Sequence, residues 1–280
     1  MHPSQHPLRV MALSLLPAIG LLGFARAQTT RPAAGELDLS PYELAVVYET
    51  EFDQPLNVLH EDALVHNDRY EREVPDDVDW VLEGPGRATV QDGRLLLENG
   101  TEGKKPYHVV LWNSQPFPEN FLLEFGFIPH DSNLGLAIVF FCATARDGKT
   151  VHAPGLRRRG GLFKRYHSGD LNSYHVSYFA IEPTGDSRGT SNLRKNHGFH
   201  LVAQGPDHVG GTQRPVHTIR LLKVGGRIQV ETNGKICISW EDDGTTGGPA
   251  LGKGQVGLRQ MKHCESGQYT FFRVSQVTAK

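Results

Sequence analysis

An all-β fold, a two-sheet antiparallel sandwich of the jelly-roll kind, is what this sequence predicts. Short apolar or alternating segments recur along the chain with turn signals between them. Few stretches keep a helical period beyond two turns. The 31 glycines and 17 prolines supply the many turns such a chain needs.

Taken in order, Tyr48 to Phe52 opens the series and stops at Asp53-Gln54-Pro55. Ala88 to Val90 and Leu95 to Leu97 flank Asp92-Gly93, a tight hairpin signal. His108 to Trp112 and Phe121 to Phe127 follow, then Leu134 to Ala143, which is apolar on both faces and therefore expected at the centre of a sheet. Tyr174 to Phe179, Phe199 to Ala203 and His217 to Leu222 come next. Arg227 to Glu231 and Ile236 to Trp240 flank Asn233-Gly234 as a second hairpin, with a loop from Asp242 to Gly248 behind it. Gln255 to Arg259 and Tyr269 to Val277 close the chain. Sandwiches of this type commonly pair the first strand with the last, which puts Tyr48 to Phe52 beside Phe271 to Val277.

Residues 1–27 read as a signal peptide: Arg9, an apolar run from Val10 to Phe24, then Ala25-Arg26-Ala27 as a small-x-small cleavage site. Pro17 and Gly20 interrupt a run already too short to span a bilayer comfortably. Residues 28–40 have no periodicity and read as a flexible lead-in; 41–280 read as one domain. The expected location is secreted or periplasmic, with no membrane partner. Of 29 basic residues, Arg9 and Arg26 leave with the leader, so 27 face 31 acids and the mature chain is mildly acidic. That balance argues against a nucleic-acid partner. Cys142, Cys237 and Cys264 have neither zinc spacing nor even parity. Cys142 sits in an apolar strand, and Cys237 with Cys264 is the one pairing worth testing. No metal-ligand motif is present among the histidines, and no cofactor is implied. A structural calcium between the first and last loops is a possibility for which Asp53 and Asp242-Asp243 would supply oxygens.

The densest polar and aromatic stretch runs from Phe163 to Tyr178. Alternation puts Asn172, Tyr174, Val176 and Tyr178 on one face and Ser173, His175, Ser177 and Phe179 on the other. Amides, imidazoles and aromatic rings are the groups that grip hydroxyls and apolar C–H faces, so this stretch reads as the wall of a saccharide groove. In a second segment, Asn192, Arg194 and Asn196 face one way with Leu193 toward the core, and Arg194 is placed to clamp a carboxylate or sulfate. His108, Trp112 and Gln260 complete the candidate binding set. Arg157-Arg158-Arg159-Gly160-Gly161 is a basic loop with two readings, a rim for anionic glycans or, more often for such a run, a merely solvated segment.

Several strings resemble the YesU-like proteins, a family of unknown function: His108-Val-Val-Leu-Trp-Asn113, Tyr166-His-Ser-Gly-Asp170, Tyr174-His-Val-Ser-Tyr178, Asn192-Leu-Arg-Lys-Asn196 and Gly257-Leu-Arg-Gln-Met261. The resemblance covers most of the mature chain. It implies a concanavalin A-like lectin/glucanase jelly roll and a setting in bacterial breakdown of plant or algal polysaccharide. It assigns no catalytic residue. The Glu-x-Asp-x-x-Glu strand of laminarinase-type glucanases is absent, and Glu124 stands alone in its strand.

Two classes of function remain open, both with an oligo- or polysaccharide partner. One is an enzyme acting on an acidic glycan. In β-elimination, Arg194 and Asn172 would neutralise the carboxylate, His167 or His175 would take the proton and Tyr174 would protonate the leaving oxygen. In hydrolysis, Asp170 would pair with Glu124 or Asp207. The alternative is a lectin-like module that binds without turnover.

Overall fold

The computed structural model describes residues 35–280, except 103, 104, 107, 130–133, 183, 211, 213 and 262–265. The leader assignment therefore falls outside the described residues. So does Cys264. Cys237 is a free, buried thiol that donates to the Val230 carbonyl at 3.2 Å.

The described strands run β1 (Tyr42–Thr50), β2 (Val58–His60), β3 (Val65–His66), β4 (Arg69–Tyr70), β5 (Trp80–Glu83), β6 (Gly86–Gln91), β7 (Arg94–Asn99), β8 (Thr101–Glu102), β9 (Lys105–Pro106) and β10 (Val109–Asn113). They continue as β11 (Phe121–Pro129), β12 (Gly135–Ala145), β13 (Leu171–Ile181), β14 (Thr190–Asn196), β15 (His200–Pro206), β16 (His217–Val224), β17 (Arg227–Thr232), β18 (Lys235–Glu241), β19 (Gln255–Gln260) and β20 (Ser266–Ala279). A single α-helical turn, α1 (Phe163–His167), and a 3-10 turn (Glu61–Ala63) are the helical elements among the described residues.

Two eight-stranded sheets stack. The first has the order β18-β17-β16-β11-β20-β7-β6, with β1 also on β20; the second has the order β15-β14-β13-β12-β19-β10-β5-β2. The expected closure is observed: Tyr48 pairs with Val274 and Thr50 with Phe272, antiparallel. Of the segment expected from Leu134 to Ala143, all but Leu134 lies inside β12, which is flanked by β13 and β19 at the middle of the second sheet. Its alternate residues serve two cores. Ala137, Val139 and Phe141 face the other sheet, while Ile138 and Phe140 face outward into a second apolar cluster with Val110, Trp112, Tyr166 and Leu171.

The lead-in is anchored from Gly35 onward. Leu37 is buried with Leu122, Leu222 and Val277, and its N–H donates to Glu231 Oε2 at 2.7 Å. Leu37 and Leu39 thus extend the packed domain upstream of residue 41.

On β13 the register slips by one between Ala137/Phe179 and Ile138/Ser177. Such a bulge lets consecutive residues point the same way, and Tyr178 and Phe179 are both in the inter-sheet core.

Candidate functional site

The outer face of the second sheet carries the polar residues that alternation assigns to it. Across β13 and β14 the pairs are Ser173–Asn196, His175–Arg194 and Ser177–Asn192, and Leu193 points into the core as expected. The Asn192 carboxamide oxygen accepts from Gln204 Nε2 at 2.8 Å. Over this strip lie α1 and the turn after β14, tied together by the Gly198 N–H donating to the His167 carbonyl at 2.8 Å. They bring Phe163, His167 and Phe199 onto His175. His167 and Phe199 have ring centroids 4.3 Å apart, Phe163 and His167 4.8 Å, and His175 and Phe199 stack at 5.8 Å. The Arg194 guanidinium sits 3.9 Å from the Phe199 ring centre and donates to the Phe199 carbonyl at 2.9 Å.

Arg194 forms no ion pair among the described residues; its recorded hydrogen bond goes to a carbonyl. The same holds for Arg188, which bonds Ser177 Oγ and the Thr190 carbonyl. A cation held over an aromatic ring without a carboxylate keeps its charge available for an anionic ligand. Phe163, His167, Arg194 and Phe199 are half-buried and form the accessible surface, whereas His175 is buried beneath them.

The two histidines differ. Burial, reinforced by the charges of Arg194 and Arg259, holds His175 well below the ordinary imidazole range. Asn196 Nδ2 donates to its Nδ1 at 2.9 Å. A neutral ring accepting at Nδ1 carries its proton on Nε2. In this arrangement His175 is a donor, which conflicts with its assignment as a base. His167 is also lowered, first by burial and then by Arg259 and Arg194. Its Nδ1 lies 2.7 Å from Ser168 Oγ, and it is the imidazole within reach of a ligand.

Behind α1 lies a buried ionic cluster that sequence reading does not find. Glu83, at the outer-face end of β5, is fully buried and receives Arg159 (Nε at 3.2 Å and a shorter contact from Nη2), His152 Nε2 (2.9 Å), Tyr70 (2.9 Å) and Tyr166 (2.5 Å). Burial alone would raise its pKa; the Arg159 charge and the His152 hydrogen bond outweigh that and hold the carboxyl well below its usual range. Glu61, also buried, accepts from the Gly84 N–H (3.0 Å) and lies 2.8 Å from the Tyr70 hydroxyl, whose one proton it shares with Glu83. The segment enters this position through glycine. Gly161 has φ +74°, and a Cβ there would lie 2.0 Å from the His108 carbonyl oxygen. Thus Arg159, read as part of a solvated loop, is a buried ion-pair partner. The available signal was an acid in an otherwise apolar strand, Trp80-Val81-Leu82-Glu83.

The model of a domain of unknown function, DUF1961, matches residues 64–274, which is most of the chain and nearly all of both sheets. The chain belongs to the DUF1961 family. It is similar to the uncharacterized protein YesU of Bacillus subtilis (strain 168), at 35% identity over 205 residues, covering 72% of this chain and 91% of that protein. It is also similar to a crystal structure of a Bacillus subtilis protein of unknown function with a galectin-like fold, with TM-score 0.68 and 30% identity, covering 85% of this chain and all of that one. A structure from work on endo-acting O-glycanases of human gut bacteria shares the fold at TM-score 0.52 and 12% identity, covering 84% of this chain and 100% of that one.

In this DUF1961 chain several residues expected in the groove lie elsewhere. Tyr174 and Tyr178 face the inter-sheet core. The Tyr174 hydroxyl donates to Asp242 and accepts from the Leu251 N–H at 2.9 Å. Tyr178 lies 3.0 Å from the Tyr269 hydroxyl, which accepts from Gln260 Nε2 at 2.8 Å, so Gln260 also points inward. Trp112 is on the outer face but sealed under Tyr166 and Phe140, which excludes it as a stacking platform. Asn172, opposite Thr144, shares the Tyr174 side of the strand and not the Arg194 side. His108 precedes β10, half-buried, with its carbonyl against Gly84 and Gly161.

The hydrolase pair is separated. Asp170 is exposed beside α1, Glu124 pairs with Arg220 on the outer face of the first sheet, and Asp207 caps its own turn by accepting from the N–H groups of Val209 and Gly210. The calcium suggestion also fails locally. Asp242 is buried in an ion pair with Lys195 at 2.7 Å, and Asp243 accepts from Thr245. Among the described residues no cluster of three or more metal-binding side chains occurs.

Proposed function

We propose that this is an exported carbohydrate-active protein that binds an acidic saccharide on the outer face of its second sheet, at Arg194, His167, Phe163 and Phe199. The observation that carries the reading is the Arg194 guanidinium, without a carboxylate partner among the described residues, stacked on Phe199 beside an imidazole held below its ordinary range. Aromatic edges and faces accept the C–H side of a sugar ring, and the guanidinium takes its carboxylate or sulfate in two-pronged fashion. The test is calorimetric titration of uronate and sulfated oligosaccharides into the wild type, Arg194→Ala and Arg194→Lys. A lost charge-assisted hydrogen-bond pair weakens binding by about tenfold or more, with Arg194→Lys intermediate. Equal affinity in all three proteins refutes the reading.

A second reading is favoured by one observation. His167 is neutral, half-buried and adjacent to Arg194 across Phe199, which is the arrangement for removing a proton next to a carboxylate held by Arg194. Tyr174 is in the core, so the leaving oxygen would take its proton from solvent water. Ultraviolet absorbance of an unsaturated product, formed by the wild type and abolished in His167→Ala, distinguishes a lyase from a lectin. Binding without product formation on every uronan tested leaves the lectin alone.

A further inference from the structure

Beside α1 lies a cleft of about 570 Å³ lined by Arg157, Arg159, Phe163, Lys164, Arg165 and Asp170, among others. We propose that this cleft is a second oxyanion subsite, which takes the carboxylate or sulfate of another sugar of the same acidic chain that Arg194 engages. The proposal rests on the saccharide reading above.

The charges lining the cleft favour an anion. Arg157 and Arg165 share a single carboxylate, Asp68, at 3.0 and 3.4 Å. Lys164 is exposed and has no ion pair among the described residues. Arg159 lines the cleft but is buried and held by Glu83, and its Nη1, closed to solvent, has no hydrogen-bond partner among the described residues. The accessible cations of the cleft, Arg157, Lys164 and Arg165, are the groups an oxyanion can reach. The Glu83 cluster, with Arg159 also 5.0 Å from the Tyr70 ring centre, fixes that guanidinium at the edge of the cleft. Asp170 is the opposing charge there; it accepts from the Arg157 N–H at 3.3 Å. Its role in this arrangement is to limit affinity for anions, rather than the acid or base catalysis expected of it from sequence.

Continuity comes from α1. Phe163 lines the cleft and also touches His167, His175 and Phe199, so one five-residue turn forms the ridge between the two subsites. A ligand spanning both must carry charges on at least two sugars.

The experiment uses the full chain and glucuronate oligomers of one to four sugars, together with sulfated oligosaccharides of the same lengths. Binding is measured to the wild type, Arg194→Ala, Lys164→Ala and Asp170→Asn. The single sugar should depend on Arg194 and be indifferent to Lys164. The gain in affinity on lengthening should fall about fivefold in Lys164→Ala and rise in Asp170→Asn, because these substitutions remove opposite charges from one cleft. Preference for the sulfated or the uronate series identifies which oxyanion the cleft takes. If Arg194→Ala abolishes binding while Lys164→Ala and Asp170→Asn leave the length dependence unchanged, the second subsite is wrong and the first stands. If no acidic oligomer responds to any of the three substitutions, both are wrong.

Discussion

Replacing Glu83 by glutamine tests the buried cluster that supports the outer face. The substitution keeps shape and most hydrogen-bonding capacity but removes the charge facing Arg159, whose side chain is 2% exposed. It also alters the contacts from His152, Tyr70 and Tyr166. An uncompensated buried guanidinium costs about 3–5 kcal/mol. In a domain of this size that corresponds to a melting point lower by roughly 10 °C. Urea denaturation followed by tryptophan fluorescence measures the loss directly. The double variant Glu83→Gln/Arg159→Met removes the orphaned charge and should recover at least half of it, since a buried pair is often replaceable by apolar groups. A Glu83→Gln protein within about 1 kcal/mol of wild type would refute the claim that this pair is ionised and unscreened, and so would a double variant worse than the single.

Three further outcomes are expected. His175, His152 and His167 are all lowered below their ordinary value of 6.5, burial being the first cause in each; the unfolded chain therefore binds their protons more readily. Their contribution to stability is complete above about pH 6.5 and declines as pH falls through and below that value, by up to about 1.4 kcal/mol per pH unit for each of the buried pair His152 and His175 and by less for the solvent-screened His167; denaturation midpoints across that window check the slope, which should flatten in His175→Gln. Gly161→Ala forces a side chain into φ +74° with its Cβ 2.0 Å from the His108 carbonyl oxygen, and should cost about 2 kcal/mol or more by thermal melting. Tyr174→Phe leaves Asp242 with one donor fewer and should cost about 1–2 kcal/mol while leaving oligosaccharide affinity unchanged by titration, because the ring lies between the sheets.

The strands were legible because both periodicities were clean. Leu134 to Ala143 is apolar at every position since it serves one core inward and another outward, and a doubly covered strand shows no alternation to misread. Leu193 between Asn192 and Arg194 fixed the outer face of β14 for the converse reason. Tyr174, Tyr178 and Gln260 lie on a face the sequence does not reveal, because a polar tip does not tell which side of a strand it is on; their hydroxyl and amide groups bond Asp242 and Tyr269 deep in the core. Arg159 and Glu83 could not be joined from sequence, since 76 residues separate them and only the close crossing at Gly84, His108 and Gly161 brings them together. Phe199 opens a strand-like run in the sequence; its φ of +60° in the turn after β14 is what lays the ring under Arg194.

Proton-detected imidazole spectra recorded during titration with a uronate tetrasaccharide examine the binding face most directly. His167 should show a large saturable shift, with a smaller one at His175 beneath it, while His60, His66 and His217 stay fixed. Saturable binding that leaves the His167 ring untouched, or moves His217 instead, contradicts the assignment of the acidic-saccharide site to the surface of Arg194 and Phe199.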